Sequence, residues 1–238
     1  MKILIVLPTY NEEKVIRANV EKVIEFCRLN LPIEWQLIIA DNASSDRTAA
    51  IGKILAAEYP EVNYFFVAQK GKGAAIAKSW QKFDADIYSF MDADLATDLS
   101  ALPKLISAII AGSDLAIGNR FDRNSRVERS VSRWIYSYGY SWAARILLGT
   151  KIADLPCGFK AINTKVKNEI LPAVTDSQWF FDSEFVIRAE EAGYKIDQIP
   201  VTWHDLREGT DKSRVKALAV AKAYFIELIK LRKKLIKS

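Results

Sequence analysis

An α/β fold with a mostly parallel sheet and helices on both of its faces is predicted by two features of this chain. Through the first half, short apolar runs alternate with helical patterns, the order that a parallel sheet with crossover helices requires. The polar residues of that half fall directly after the apolar runs, in the loops at the C-terminal strand ends where such sheets bind ligands.

The elements follow in order. Lys2 to Leu7 is the first strand: Ile3-Leu4-Ile5-Val6-Leu7 is a buried apolar run that Pro8 stops, too soon for a signal peptide or a membrane span. Glu13 to Asn30 then reads as helix, Trp35 to Ala40 as strand and Arg47 to Tyr59 as helix. Asn63 to Ala68 reads as strand, Ala74 to Phe83 as helix and Ile87 to Met91 as strand. The second half is less regular. A helix is expected at Leu99 to Ala111, a strand near Leu115 to Gly118, a basic segment from Arg120 to Arg133 and an aromatic helix ending about Leu148. A loop through Asp154-Leu155-Pro156-Cys157-Gly158-Phe159, a helix at Asp182 to Ala192 and a strand at Lys195 to Val201 complete the body.

Composition excludes several chemistries. Half of the 238 residues are hydrophobic, enough for a sizeable core. Two cysteines, Cys27 and Cys157, and one histidine, His204, argue against a disulfide framework, a thiolate or imidazole metal cage and a Ser/His/Asp triad. Catalysis is left to carboxylates, cations and backbone. The net charge of +5 is unevenly placed: residues 212–238 hold nine Lys or Arg against Glu227 alone, which puts +8 there and −3 on the rest. No stretch offers 18 uninterrupted apolar residues, and no nucleic-acid partner is expected.

Asp92-Ala93-Asp94 is the sharpest local signal. Two carboxylates just after the strand Ile87-Tyr88-Ser89-Phe90-Met91 can offer oxygen ligands to a hard divalent cation, whose shell a diphosphate completes. Asp41 ends its strand where it can accept hydrogen bonds from a base or ribose, and Asp46 suits a helix cap. Lys70-Gly71-Lys72-Gly73 allows close backbone approach to a phosphate but lacks the Walker spacing, and no Gly-x-Gly-x-x-Gly follows the first strand.

Seven segments occur in an order that resembles a known family: Pro8-Thr9-Tyr10-Asn11-Glu12, Asp41 to Asp46, Gly71-Lys72-Gly73, Asp92-Ala93-Asp94, Gly118-Asn119-Arg120-Phe121, Cys157-Gly158-Phe159-Lys160 and Phe181-Asp182-Ser183-Glu184. The chain is similar to family 2 glycosyltransferases, in particular the dolichyl-phosphate mannose and glucose synthase group, from Ile3 to about Val215. The resemblance implies a GT-A fold, a nucleotide sugar donor (UDP-glucose or GDP-mannose), Mg2+ or Mn2+, and inversion at the sugar carbon. It implies nucleotide-binding roles for Pro8, Tyr10, Glu12, Asp41, Lys72 and Asp92, metal ligation by Asp92 and Asp94, and a place for Arg120 near the acceptor phosphate. One departure is Ala96, where mannose synthases commonly carry Gln. Cys157 to Lys160 together with Trp179 to Glu184 look more like the glucose-transferring branch.

A phosphate monoester acceptor is already anionic near neutral pH and needs cations rather than a base. Arg120, Arg129, Arg133, Lys160, Arg207, Lys212 and Arg214 are the expected acceptor-phosphate residues. The group's Gly-x-Ser-Lys motif is present only loosely, in Gly209 to Arg214. The aromatic run Trp134 to Trp142 suits a bilayer interface or packing against the core. Residues 1–213 are thus expected as a catalytic domain and 214–238 as a basic amphipathic helix at the cytoplasmic face of a membrane. The expected catalytic residues are Asp94, Arg120, Asp182 and Glu184. Expected partners are the donor, a polyprenyl phosphate, the membrane surface and, as an open alternative, a membrane protein. Two rival readings stand: transfer to a soluble or glycan hydroxyl with Asp182 or Glu184 as base, and a catalytically silent nucleotide-binding partner of a membrane protein.

Overall fold

The computed structural model of the protein describes residues 1–128, 131–204 and 214–236, apart from the side chains of 131–133 and 214–222. The first half forms β1 (Lys2–Thr9), α1 (Ile16–Asn30), β2 (Glu34–Asp41), α2 (Thr48–Glu58), β3 (Val62–Phe66), α3 (Lys72–Lys82) and β4 (Ile87–Met91). β1 pairs in parallel with β2 on one side and β4 on the other, and β3 adds to β2. Strand order therefore reverses at β1, which opens a crevice between the loops after β1 and β4. The apolar run of β1 explains its central place: Ile3 to Leu7 are all fully buried, as a strand covered on both faces must be.

The second half contains α4 (Ala101–Ile110), β5 (Leu115–Asn119), β6 (Arg126–Glu128), α5 (Val131–Leu148), β7 (Phe159–Asn163) and α6 (Thr164–Ile170). A 3-10 turn at Leu171–Ala173, α7 (Phe181–Glu191), β8 (Ile196–Pro200), β9 (Thr202–His204) and α8 (Arg214–Leu235) follow. The sheet runs β3-β2-β1-β4-β7-β5-β8, and β7 is antiparallel to both β4 and β5. The sequence reading ends its loop at Phe159 and assigns no strand there. Lys160 masks an apolar stretch in which Phe159, Ala161 and Ile162 are all fully buried. β6 and β9, three residues each, form a separate parallel pair too short for any periodicity to mark.

The C-terminal helix α8 ends at Leu235, and part of its apolar face docks on the body. Leu228 and Leu231 are buried in the main core, and the Tyr224 ring meets Tyr140 of α5 edge-on at 5.2 Å. Phe225 and Ile226 stay exposed. No helix among the described residues is long and apolar enough to cross a membrane.

Candidate active site

The loops at the C-terminal strand ends are stitched to one another. Asn11 donates its N–H to Ser44 Oγ (3.0 Å) and accepts from the Ser45 N–H through Oδ1 (2.8 Å). Glu12 N donates to Thr48 Oγ1 (2.8 Å), Glu13 N to Asp46 Oδ2 (3.2 Å), and Asp46 Oδ1 accepts from Thr48 N (2.9 Å). Asp46 thus serves the start of α2, as a cap should, and ties the β1 loop to it. Among the described residues, the non-glycine positions with positive φ are Asn11 (56°), Ala43 (56°) and Leu95 (53°), one in each loop after β1, β2 and β4. Each costs on the order of 1 kcal/mol that the surrounding bonds must offset, a cost typical of sites rather than of plain turns.

Between these loops lies a cleft of about 380 Å³ lined by Pro8, Tyr10, Glu12, Asn42, Lys72, Asp92, Asp94 and Trp179, among others. Five of the six residues predicted to bind nucleotide are on its wall. The sixth, Asp41, is fully buried behind it, where it accepts from the Tyr64 hydroxyl (2.7 Å) and the Ser44 N–H (3.0 Å). Asp41 therefore shapes the loop from beneath. Burial and the Asp41 carboxylate together raise the Tyr64 pKa, which keeps that phenol a donor.

A buried row of alternating charges runs from the cleft into the core. Lys72 Nζ lies 2.7 Å from Asp92 Oδ1 and 2.9 Å from Asp182 Oδ2, and Asp182 Oδ1 is 3.0 Å from Lys160 Nζ. Burial alone would lower the Lys72 pKa, but Asp182 and Asp92 outweigh it, so the ammonium stays charged. Asp92, with its side chain 43% exposed, is the end that meets solvent. Asp94 accepts the Ala96 N–H through Oδ1 (3.0 Å), while buried Asn19 of α1 donates to the Ala93 carbonyl (2.8 Å). The acidic loop is thus held from both sides.

Asp92 and Asp94 fit a divalent cation as hard oxygen donors on a cleft wall. The backbone beside them is cut to suit: a Cβ on Gly158 would come within 2.0 Å of Asp92 Oδ2. Among the described residues no three His, Cys, Asp or Glu side chains converge to hold a metal, so diphosphate and water oxygens would complete the shell. Ala96 contributes backbone only, its carbonyl accepting the His204 N–H (2.9 Å).

The glycines of Gly71-Lys72-Gly73, the first of which lines the cleft, also meet a packing need that the motif does not announce. Gly71 has φ +133°, and a Cβ there would lie 2.0 Å from the Ser177 carbonyl oxygen. Ala74 N donates to Ser177 O (2.9 Å) and Gly73 N to Gln178 O (3.1 Å). The glycines let the segment before α7 close over the start of α3, which brings Gln178 and Trp179 onto the cleft wall.

Other predicted residues fall elsewhere. Lys160 is 1% exposed, its ammonium on Cys157 O (2.6 Å) and Asp182, so it supports the buried row and does not reach an acceptor. Glu184 is also buried: it accepts from the Thr175 and Asp176 N–H groups (3.1 and 2.8 Å) and pairs with Arg188 (2.8 Å), which makes it a staple of the segment before α7 and removes it from the cleft. Asp182 sits between two ammonium groups, one of which, that of Lys72, lines the cleft. Arg120 forms a two-point pair with fully buried Asp154 (both 2.7 Å). Burial would lower the Arg120 pKa, but Asp154 more than compensates and raises it. Next to it, the Phe121 ring packs on Tyr138 (4.8 Å) and Trp134 (6.2 Å) of α5. Arg129, Arg207 and Lys212 lie outside the described residues, as do the side chains of Arg133 and Arg214.

Asn19, Asn42 and Gln178 were not anticipated as site residues. Asn19 left a signal, a polar residue on the stripe Ile16, Val20, Val23 and Cys27 that α1 buries. Gln178 left none, because its place depends on the contact between segments far apart in the chain.

The family model described as glycosyl transferase family 2 matches residues 4–171. Glycosyltransferase AglD of Haloferax volcanii is 30% identical over 85% of this chain and 33% of its own length. Dolichyl-phosphate beta-glucosyltransferase of Saccharomyces cerevisiae is 30% identical over 92% of this chain, and dolichol-phosphate mannosyltransferase of Pyrococcus furiosus is 29% identical over the same share. The chain spans about a third of the first relative's length, 71% of the second and 61% of the third. The fold is shared with glucosyl-3-phosphoglycerate synthase of Mycobacterium tuberculosis, solved with Mn2+, UDP and glucosyl-3-phosphoglycerate (TM-score 0.72, 18% identity, 97% of this chain and 79% of that one). It is shared too with a Pyrobaculum calidifontis mannosyltransferase in complex with GDP-Man and Mn2+ (TM-score 0.64, 16% identity, 99% of this chain and 64% of that one).

Proposed function

This chain belongs to glycosyl transferase family 2, and on that premise we propose that it transfers a hexose, with inversion, from a nucleoside diphosphate sugar to a polyprenyl phosphate at a membrane surface. The observation that carries this reading is the cleft in which Asp92, Asp94 and the buried ammonium of Lys72 face the loop Pro8 to Glu12. Relatives named for both glucosyl and mannosyl transfer to dolichyl phosphate support the acceptor class.

In this mechanism Pro8, Tyr10, Glu12 and Asn42 receive the nucleotide, with Asp41 and Tyr64 fixing the loop behind them. Asp92 and Asp94 would hold Mg2+ or Mn2+, which when bound supplies positive charge to the departing diphosphate. Lys72 offers a second positive charge at the same end of the cleft, kept protonated by Asp182. The acceptor phosphate is its own nucleophile, so no base is needed. Arg120, held rigid by Asp154, marks its approach beside the aromatic patch of Phe121, Trp134 and Tyr138.

That patch continues along α5. Trp134, Tyr138, Trp142 and Ile146 recur every four residues and are all exposed, with Ile135 beside them. Phe225 and Ile226 are exposed on neighbouring α8, whose end carries Arg232 and Lys233. An aromatic stripe next to a basic helix end suits an anionic lipid interface. The reading takes the attachment as peripheral, at the cytoplasmic face, with polyprenyl phosphate presented from the bilayer.

The deciding experiment incubates the protein with Mg2+ or Mn2+, polyprenyl phosphate and labelled UDP-glucose or GDP-mannose. Label in the organic phase with one donor is expected. No extractable label with any nucleotide sugar overturns the proposal.

A further inference from the structure

Trp179 is the feature of the cleft that neither the charge chemistry nor the nucleotide loops use. Its side chain is 59% exposed although it lines the cleft, and its ring faces the Lys72 ammonium at 5.6 Å. Tyr10, also exposed and on the wall, stands beside the Asn11–Ser44–Ser45 knot, and Phe90, whose ring is 5.2 Å from the Lys72 ammonium, is buried, which leaves Trp179 among the described residues as the exposed aromatic ring at the Lys72–Asp92 end. An indole this exposed on the cleft wall, next to the charges that receive a diphosphate, is a surface for the ring attached to that diphosphate, whose C–H faces are apolar.

The Trp179 backbone is held from three directions. Gly73 N donates to the Gln178 carbonyl, and Gln178 Nε2 donates to the Lys70 carbonyl (2.8 Å). Glu184 receives the N–H groups of Thr175 and Asp176. From α8, the Tyr224 hydroxyl donates to the Trp179 carbonyl itself (3.1 Å), and Lys234 Nζ donates to Thr175 Oγ1 (2.7 Å). A wall segment gripped by the C-terminal helix is a rigid mount for a stacking residue.

We propose that Trp179 is the platform on which the donor's hexose ring stacks, and that Tyr224 is its positioning residue. The inference rests on the reading that the donor is a nucleoside diphosphate hexose, and it deepens that reading by assigning the sugar subsite. It also gives α8 a place in donor recognition, because Tyr224 and Lys234 of that helix bond the sugar wall.

The test compares nucleotide sugar with bare nucleotide on the full chain. Calorimetric titrations with Mn2+ and either UDP-glucose and UDP, or GDP-mannose and GDP, are run on wild type, Trp179→Ala, Trp179→Phe and Tyr224→Phe. Trp179→Ala is expected to weaken the nucleotide sugar about tenfold and leave the bare nucleotide unchanged, the size of one aromatic contact. Trp179→Phe retains most of the affinity. Tyr224→Phe weakens the nucleotide sugar alone, by a smaller factor, an effect that a merely structural hydroxyl would not confine to one ligand. Equal weakening of both ligands, or of neither, in Trp179→Ala overturns the platform while leaving the function intact. Equal treatment of both ligands by Tyr224→Phe overturns its positioning role. A wild type that binds the bare nucleotide and no nucleotide sugar overturns platform and function together.

Discussion

The ammonium of Lys72 lies 2.7 Å from a carboxylate oxygen of Asp92, so a cation of the protein's own already sits against one of the two carboxylates assigned to the metal. In Lys72→Met this competitor is gone. Mn2+ binding in the absence of nucleotide, followed by spin-resonance titration, is expected to tighten. Turnover is expected to fall by two orders of magnitude or so, as when one preorganised donor is removed from an active site. Unchanged Mn2+ affinity together with full turnover would remove Lys72 from the donor site.

Asp94→Asn keeps the size of the side chain and its acceptor for the Ala96 N–H but deletes a charge from the acidic loop. Turnover with saturating donor is expected to be almost abolished, while the melting temperature stays near that of wild type. Retained turnover under those conditions contradicts the metal assignment.

Asp182→Ala tests the rival in which a carboxylate serves as base. The residue is 2% exposed and neutralises two buried ammonium groups, so its loss leaves charge uncompensated in the core. A destabilisation of about 3 kcal/mol is expected in denaturant titration. A variant of wild-type stability that lacks turnover would favour the base role instead.

Membrane docking is best probed by substitution, because truncating α8 would remove Leu228 and Leu231 from the core. Trp142→Ser with Ile146→Ser is expected to weaken vesicle binding at every salt concentration. Arg232→Ser with Lys233→Ser is expected to weaken it mainly at low salt, by about 1 kcal/mol per charge. Binding to vesicles of phosphatidylserine that neither pair changes would rule out this face.

Asp46 provides a pH test of the loop knot. Partial burial pushes its carboxyl up, but hydrogen bonds from Thr48 and from the Glu13 N–H outweigh this and hold its pKa below the usual aspartate value. The folded-state pKa is depressed, so the stabilisation is present above the unfolded value of about 3.9 and is lost as pH falls through the lower folded value. Thermal melts of wild type and Asp46→Asn should therefore differ near neutrality and converge below that range. A constant difference would show that the carboxylate charge is not what stabilises the knot.

Much of this protein was legible in its residues. Continuous apolar strands and helical periodicity placed β1 through β4 and the helices between them, since burial on both faces of a parallel sheet demands that pattern. The short polar segments after those strands located the cleft and supplied Pro8, Tyr10, Glu12, Lys72, Asp92 and Asp94. Lys160 and Glu184 were misplaced because charge alone suggests solvent. Their burial depends on partners, Asp182 in one case and Arg188 with two backbone N–H groups in the other, that only packing brings near.

What the chain determined by itself is therefore the alternation of elements and the chemistry of each loop, because both follow from local pattern and side-chain type. What only the tertiary structure decided is the company each charge keeps. β7 enters antiparallel between β4 and β5 to carry Lys160 under Asp182, and α8 folds back to bond Trp179. Such pairings join residues far apart in sequence, and no local pattern encodes a distance across a fold.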